Sequence, residues 1–272
     1  MSAEVGEQLA LRDDLRLALE RDQLEVYYQP IIDVSNGVIT SAEALLRWNH
    51  PQRGLLSPAR FIEVAEQSGL INPIGDWVMR EALKTTALWQ ATVDYPVTIH
   101  VNVSAHQLKQ NDFVQSVESA LQDAGLPAQV LHLEMTESAL IGEAVPAELL
   151  LESLKAVGVH IDLDDFGTGF SSLSYLKSLP VDAIKIDKSF LQDLATGGRN
   201  SALVEVILTI GERLNNDIIA EGVETQEQRD WLVEHGCRYL QGYYFSEAVP
   251  QPRFLQMASA RYDAETKTAS VG

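Results

Sequence analysis

The chain has 272 residues, 46% of them apolar, and a formal net charge of -19 at pH 7. That length supports a large core in one barrel-sized domain, with two smaller domains as the alternative, and the acidic balance excludes electrostatic wrapping of long nucleic acid, which needs concentrated Lys and Arg. No apolar run approaches the ~20 residues that cross a bilayer, the N-terminus carries acid where a signal peptide carries basic and then apolar residues, and Cys237 is the single cysteine, which excludes an intramolecular disulfide. A cytoplasmic domain without membrane contact is expected.

Glu7–Arg21 places Leu11, Leu15 and Leu19 at four-residue spacing and predicts an amphipathic helix, read as an N-terminal helix or linker remnant over residues 1–22. Strand-like runs follow at Glu25–Gln29 and Val38–Arg47. The IIDVSNG connection, with its Asn36-Gly37 turn signal, is too short for a crossover helix, so the two strands are expected to be antiparallel neighbours.

Helix and strand then alternate. Helices are predicted at Pro58–Gln67 and Ile74–Gln90, then strand Val97–Val103, helix Phe113–Ala124, strand Val130–Met135, helix Ala147–Val157 and strand Val159–Leu163. A loop with a short helix near Leu173–Ser178 leads to strand Ala183–Ile186, helix Ser201–Leu214, strand Asp217–Ala220, helix Gln226–His235, strand Tyr239–Gly242 and a last helix near Pro252–Ala260. Eight strands alternating with helices predict an α/β fold, a TIM-like (β/α)8 barrel with an antiparallel first strand over residues 23–262. An open doubly wound sheet is the alternative, and residues 263–272 read as a flexible tail.

Successive strands end in Glu43 with Arg47, Asn102, Glu134, Asp164-Asp165, Lys185, Glu221 and Gln241. Strand ends of a parallel sheet share one rim, so these groups can meet. Alternation assigns Ile99, Val101, Leu131, Leu133, Ile161 and Ile184 to the helix-facing side and His100, Asn102, His132, Glu134, His160, Asp162, Asp164 and Lys185 to the interior. Several carboxylates converging with an Asn and one Lys repel one another unless cations join them, and all-oxygen donors suit Mg2+ or Mn2+. His100, His132 and His160 lie nearer the strand starts; they are a zinc cluster or a buried polar layer, and their depth favours the layer.

In DDFGTGFSSL the adjacent aspartates point in different directions, which lets one bridge two ions. Gly167 and Gly169 permit left-handed backbone, and Thr168, Ser171 and Ser172 offer hydroxyls, so the segment reads as a mobile lid.

Taken together, YYQPI from Tyr27, Glu43-Ala44-Leu45 in SAEALLRWNHP, VNVSAHQL from Val101, LEMTES from Leu133, DDFGTGFSSL from Asp164, KIDKSF from Lys185, AEGVET from Ala220 and QGYYFS from Gln241 resemble the EAL-domain family of cyclic di-GMP phosphodiesterases. The resemblance implies a barrel with an antiparallel first strand and hydrolysis of cyclic di-GMP to linear pGpG with two divalent cations, Mg2+ or Mn2+. By motif position it implies that Glu43, Asn102, Glu134 and Asp164 hold one ion, that Asp164, Asp165 and Glu221 hold the other, and that Lys185 stands beside the attacking water. It implies a catalytic set of Lys185, Glu43, Asp164 and Asp165, with Arg47, Gln29, Gln241 and Asp187 towards the substrate and Glu137 and Glu224 as supports of the lid and the EGVE turn. Ser41 stands where the family often has Gly and Met135 where it has Leu; neither departure removes a ligand. A homodimer and an upstream sensory or GGDEF domain are further expectations from the resemblance. Two other readings stay open: a catalytically weak cyclic di-GMP receptor, and an unrelated TIM-barrel metal enzyme acting on a phosphorylated or carboxylated metabolite.

Overall fold

A computed structural model describes residues 2–140, 147–167, 179–192, 194 and 197–259. Helix α1 (Ser2–Ala18) buries Leu11, Leu15 and Ala18. It leads into an antiparallel hairpin of β1 (Leu24–Asp33) and β2 (Val38–His50), paired in one register from Leu24 opposite Trp48 to Ile31 opposite Ser41 and, after a one-residue shift, from Ile32 opposite Ile39 to Asp33 opposite Val38. The turn between them closes on the Asp33 carbonyl and has Gly37 at a φ of 68°. β1 runs four residues beyond the expected Gln29. The reason is burial of both faces: Ile31 packs inside the barrel and Ile32 in the outer core, so no polar residue alternates with them.

The strands that follow are β3 (Gly54–Leu56), β4 (Thr98–Asn102), β5 (Leu131–Thr136), β6 (His160–Phe166), β7 (Ala183–Ile186), β8 (Asp217–Ala220), β9 (Tyr239–Leu240) and β10 (Val249–Pro250). The order β1-β9-β8-β7-β6-β5-β4-β2 closes on itself through the β1–β2 pairing, giving a closed 8-strand barrel. Both pairings of β1 within this ring are antiparallel; every other ring pairing is parallel. β3 and β10 hang on β2 and β1 outside the ring, additions too short to leave an alternation in the sequence.

The helices of the described residues are α2 (Ile62–Gln67), α3 (Ile71–Gln90), α4 (Ala105–Leu108), α5 (Phe113–Ala124), α6 (Glu137–Leu140), α7 (Ala147–Val157), α8 (Arg199–Leu214), α9 (Gln226–Glu234) and α10 (Gln251–Ser259). The helix expected over Pro58–Gln67 is broken at Phe61, whose φ and ψ of -145° and -11° lie off the helical region. Its buried ring meets Trp48 edge-on at 5.5 Å, so tertiary packing overrides local helix preference. The helix expected near Leu173–Ser178 and the tail over 263–272 lie outside the described residues.

Ile99, Val101, Leu131, Leu133, Ile161, Leu163, Ile184 and Ile186 are buried under the helices, as alternation predicts. The interior is less uniformly ionisable than expected, because Ile31, Ala183 and Ile219 from three ring strands form a separate apolar cluster. Gly242, immediately after Gln241, is required by close approach: a Cβ there would lie 2.2 Å from both the backbone N and O of Val223. Those atoms bond to the Gln241 carbonyl and the Tyr244 N–H and cannot swing aside. Gly242→Ala is expected to cost about 1–3 kcal/mol, measured by denaturant unfolding; an unchanged midpoint would show that the Val223 turn repacks freely.

Candidate active site

The barrel brings the predicted rim residues together. Asn102 ends β4, Glu134 lies near the end of β5, Asp164 and Asp165 near the end of β6 and Lys185 near the end of β7, while Glu221 and Gln241 directly follow β8 and β9. Glu43 differs from expectation, since it sits in mid-strand on β2, which continues to His50. It still reaches the rim, and its antiparallel partner Gln29 comes with it.

At the centre is Lys185, a fully buried ammonium ringed by carboxylates. Its Nζ lies 2.6 Å from Glu134 Oε1, 3.6 Å from Glu43 Oε2 and 3.9 Å from Asp164 Oδ1, and it also contacts Glu221 Oε1. Glu43 is gripped at both oxygens, by the Asn102 side-chain amide at 2.7 Å and by that of Gln241 at 2.6 Å. Gln241 also donates to Gln29 Oε1 at 3.1 Å, and Gln29 donates to the Ser246 carbonyl. This chain of amides fixes Glu43 in place.

The Asp pair owes its geometry to a bulge. Pairing of β6 with β7 slips between Leu163 and Phe166, and Asp165 has a left-handed φ of 53°. Regular pleating would turn Asp165 away from Asp164; the extra residue lets both serve the same mouth. Burial raises the Asp165 pKa, and Asp164 and Asp187 raise it further. The Asp165 N–H in turn donates to Asp164 Oδ1 at 2.8 Å.

Electrostatics follow the same crowding. Burial disfavours the Lys185 ammonium, yet Asp164, Glu134, Glu221 and Glu43 together hold its pKa well above the usual range. Burial pushes Glu134 and Glu221 well above ordinary carboxyl values; Lys185 pulls them back in part and the neighbouring carboxylates push them up again. For Glu43 burial is outweighed by Lys185, Gln241 and Asn102, and its pKa is lowered.

The remaining predicted residues are spread around this centre. Arg47 donates to the Leu46 carbonyl and lies over the Tyr27 ring at 5.5 Å. Asp187 accepts the Ser189 N–H at 3.0 Å and so caps the turn that follows β7. Glu137 is buried at the start of α6, and Glu224 is exposed in the turn before α9, which Thr225 and Gln228 cap reciprocally. Gly167 is left-handed, and a Cβ there would touch Phe190 at 3.0 Å. Thr168, Gly169, Ser171 and Ser172 lie outside the described residues.

Two features go beyond what the sequence shows. A cavity of about 550 Å³ opens beside Glu43 and Asn102 and is lined by Leu45, Ile62, Ile74, Val78, Ser104 and Thr136 among others. Helices from distant parts of the chain build it, so no local pattern announces it. The other is the close grouping of Asp162 with two of the histidines that alternation had already placed inside: His100, half-buried His132 and Asp162 bring side-chain N and O atoms within 4.8 Å of one another just below Glu134.

The family model described as EAL domain matches residues 12–248. The chain belongs to the EAL domain family. It is 45% identical over 255 residues to the bifunctional diguanylate cyclase/cyclic di-GMP phosphodiesterase MucR of Pseudomonas aeruginosa, covering 94% of this chain and 37% of that protein. It is 41% identical over 262 residues to the cyclic di-GMP phosphodiesterase NbdA of the same organism, covering 95% of this chain and 33% of that protein. The EAL domain thus spans about a third of the length of these relatives. The solved PaMucR phosphodiesterase, a c-di-GMP complex, superposes with a TM-score of 0.86 at 44% identity, covering 90% of this chain and 99% of that one.

EAL domains are metal-dependent, and the oxygen donors at the rim are of the kind that suits a hard cation. Glu134 Oε2 and Gln241 Oε1 are buried with no hydrogen-bond partner among the described residues, and both lie in the oxygen-rich cluster around Lys185. Among the described residues no helix is long and apolar enough to cross a membrane.

A carboxyl whose folded pKa exceeds its unfolded one stabilises the fold while protonated, and the contribution is lost as pH rises through the raised value. Glu134 and Glu221 set that sign, whereas Glu43, with its lowered value, acts only in acid below its ordinary range. His132, whose pKa burial lowers, adds stability as pH rises towards its ordinary value and opposes this below about 6.5. In chelator, the EAL domain is therefore expected to lose thermal stability as pH rises from about 6.5 to 8, and saturating Mg2+ should flatten the dependence. Differential scanning calorimetry checks this; a melting temperature that climbs with pH in chelator would contradict it.

Proposed function

We propose that this EAL domain hydrolyses one phosphodiester bond of cyclic di-GMP to give linear pGpG, using two divalent cations, Mg2+ or Mn2+. The observation that carries this reading is the charge imbalance at the rim: Glu43, Glu134, Asp164 and Glu221 surround one buried ammonium, with Asp165 beside them. Repulsion of that kind is relieved by hard cations on oxygen donors. The similarity to MucR and NbdA supports the choice of substrate.

Glu43, Asn102, Glu134 and Asp164 are assigned to one ion and Asp164, Asp165 and Glu221 to the other. Such ions make a bound water more acidic and offset charge on the phosphate oxygens. Lys185, held as an ammonium, orients the attacking water from Nζ and stabilises negative charge. Arg47 offers a planar fork to a phosphate, stiffened by its position over Tyr27. Gln29 and Gln241 keep Glu43 in orientation, and the apolar cavity beside it suits a purine base. Asp187, Glu137 and Glu224 support the loops around the mouth, and DDFGTGFSSL, with Gly167, Thr168, Gly169, Ser171 and Ser172, is proposed as the lid. The greater length of the relatives supports an upstream sensory or GGDEF domain in a parent protein, and a cytoplasmic homodimer is proposed on the family resemblance alone.

Incubation with cyclic di-GMP and Mg2+ or Mn2+, followed by chromatography, is expected to yield pGpG and to stop in chelator. Glu43→Ala should lower kcat by roughly a thousandfold or more. Lys185→Ala is expected to lower kcat by about 10²–10⁴-fold while binding of cyclic di-GMP stays within about threefold. Tight binding without metal-dependent product would replace the enzyme with a receptor, and an unchanged Lys185→Ala rate would remove Lys185 from its role.

A further inference from the structure

Below the rim, register aligns three histidines on neighbouring parallel strands: His100 on β4 is opposite His132 on β5, which is opposite His160 on β6. Their rings stack, with centroids 4.2 Å apart for His100 and His132 and 4.5 Å apart for His132 and His160. Asp162, fully buried, faces two of them. Its oxygens lie 2.8 Å from His100 Nδ1 and 3.1 Å from His132 Nδ1. His100 Nδ1 is also 3.1 Å from Glu134 Oε1. Because both neighbours of that nitrogen are carboxyl oxygens, Nδ1 is assigned the proton, a single one that it shares between Glu134 Oε1 and the nearer Asp162 Oδ2.

We infer that His100, anchored by Asp162, positions Glu134 for cation binding. The inference rests on the metal reading of the rim. Glu134 Oε1 is held on one side by Lys185 at 2.6 Å and on the other by His100 at 3.1 Å, and this leaves Oε2 buried and unpartnered. A carboxylate fastened at one oxygen by two donors loses its freedom to rotate, so the other oxygen is presented in a set direction. Asp162 keeps the His100 ring in place, and no solvent reaches it to do the same. An outer group that orients a ligating side chain in this way contributes about 10–100-fold in metal affinity.

Ring geometry separates this role from that of a further metal centre at the same three residues. An ion bound by both Nδ1 atoms must lie near both ring planes. Planes inclined by only 15° and stacked at 4.2 Å do not meet close to the rings, whereas carboxyl oxygens already occupy both nitrogens: Asp162 accepts from His132, and the His100 proton is shared between Asp162 and Glu134.

The test is calorimetric titration of Mn2+ into the wild type, His100→Asn and His100→Leu, with melting temperatures recorded alongside. The Asn side-chain amide puts a donor close to the place of Nδ1; Leu removes it. His100→Leu is expected to weaken Mn2+ binding by about 10–100-fold and His100→Asn by less than about threefold, with unchanged stoichiometry. If the Leu variant does not fold, His100→Ala takes its place with the same expectation. Unchanged affinity in the Leu or Ala variant, or equal losses in Asn and Leu, would overturn the positioning role in favour of packing. Loss of one bound ion per chain in either variant would overturn it in favour of a metal centre at His100. A wild type that binds no Mn2+ would overturn the metal reading itself, and this inference with it.

Discussion

A single buried ammonium holds the mouth of this barrel together. Lys185 has no solvent and several carboxylates within reach, so each of Glu43, Glu134, Asp164 and Glu221 depends on its charge. An isolated ion in such a place costs several kcal/mol. The barrel tolerates it because the two sides of β7 do different things: Ile184 and Ile186 are fully buried in the outer core and fasten the strand, while Lys185 is turned to the interior. One ammonium does not balance the carboxyl groups gathered round it, and that imbalance is the ground on which cations are proposed at the rim.

The parts around this pair follow from how the strands arrive. The antiparallel β1 contributes Gln29 although it runs against the rest of the ring, since its register with β2 sets Gln29 opposite Glu43. Glu221 and Gln241 arrive on very short strands whose backbones are stitched together beyond their ends, Val223 N–H to the Gln241 carbonyl and Tyr244 N–H to the Val223 carbonyl. The absence of a side chain at Gly242 permits that stitch. Beneath the rim the interior divides into an apolar sector of Ile31, Ala183 and Ile219 and a polar sector of His100, His132 and Asp162, so Glu134 rests on hydrogen-bond donors rather than on hydrocarbon.

Much of this was readable in advance. Periodicity of two located the ring strands and their buried faces, and the bounds of Phe113–Ala124, Ala147–Val157, Ala183–Ile186 and Asp217–Ala220 were predicted to the residue. Where prediction failed, tertiary contacts had overruled local pattern: Phe61 leaves the helix to pack on Trp48, and Ile31 and Ile32 carry β1 onward because both of its faces are covered. The rim residues were legible as a group for the same geometric reason, that parallel strands deliver their ends to one side.

The sequence by itself determined the fold class, the family resemblance and the list of groups at the mouth, because alternation, turn signals and ordered motifs are local properties of the chain. Only the tertiary structure decided how those groups share charge and hydrogen bonds. That Glu43 is held between Asn102 and Gln241, residues 59 and 198 positions away, is a matter of strand order and register. The bulge that brings Asp165 round beside Asp164, the cavity beside Glu43 and the stacking of His100 on His132 have the same origin. Each arises where elements distant in sequence meet, and contact between such elements is a property of the closed ring rather than of any one segment.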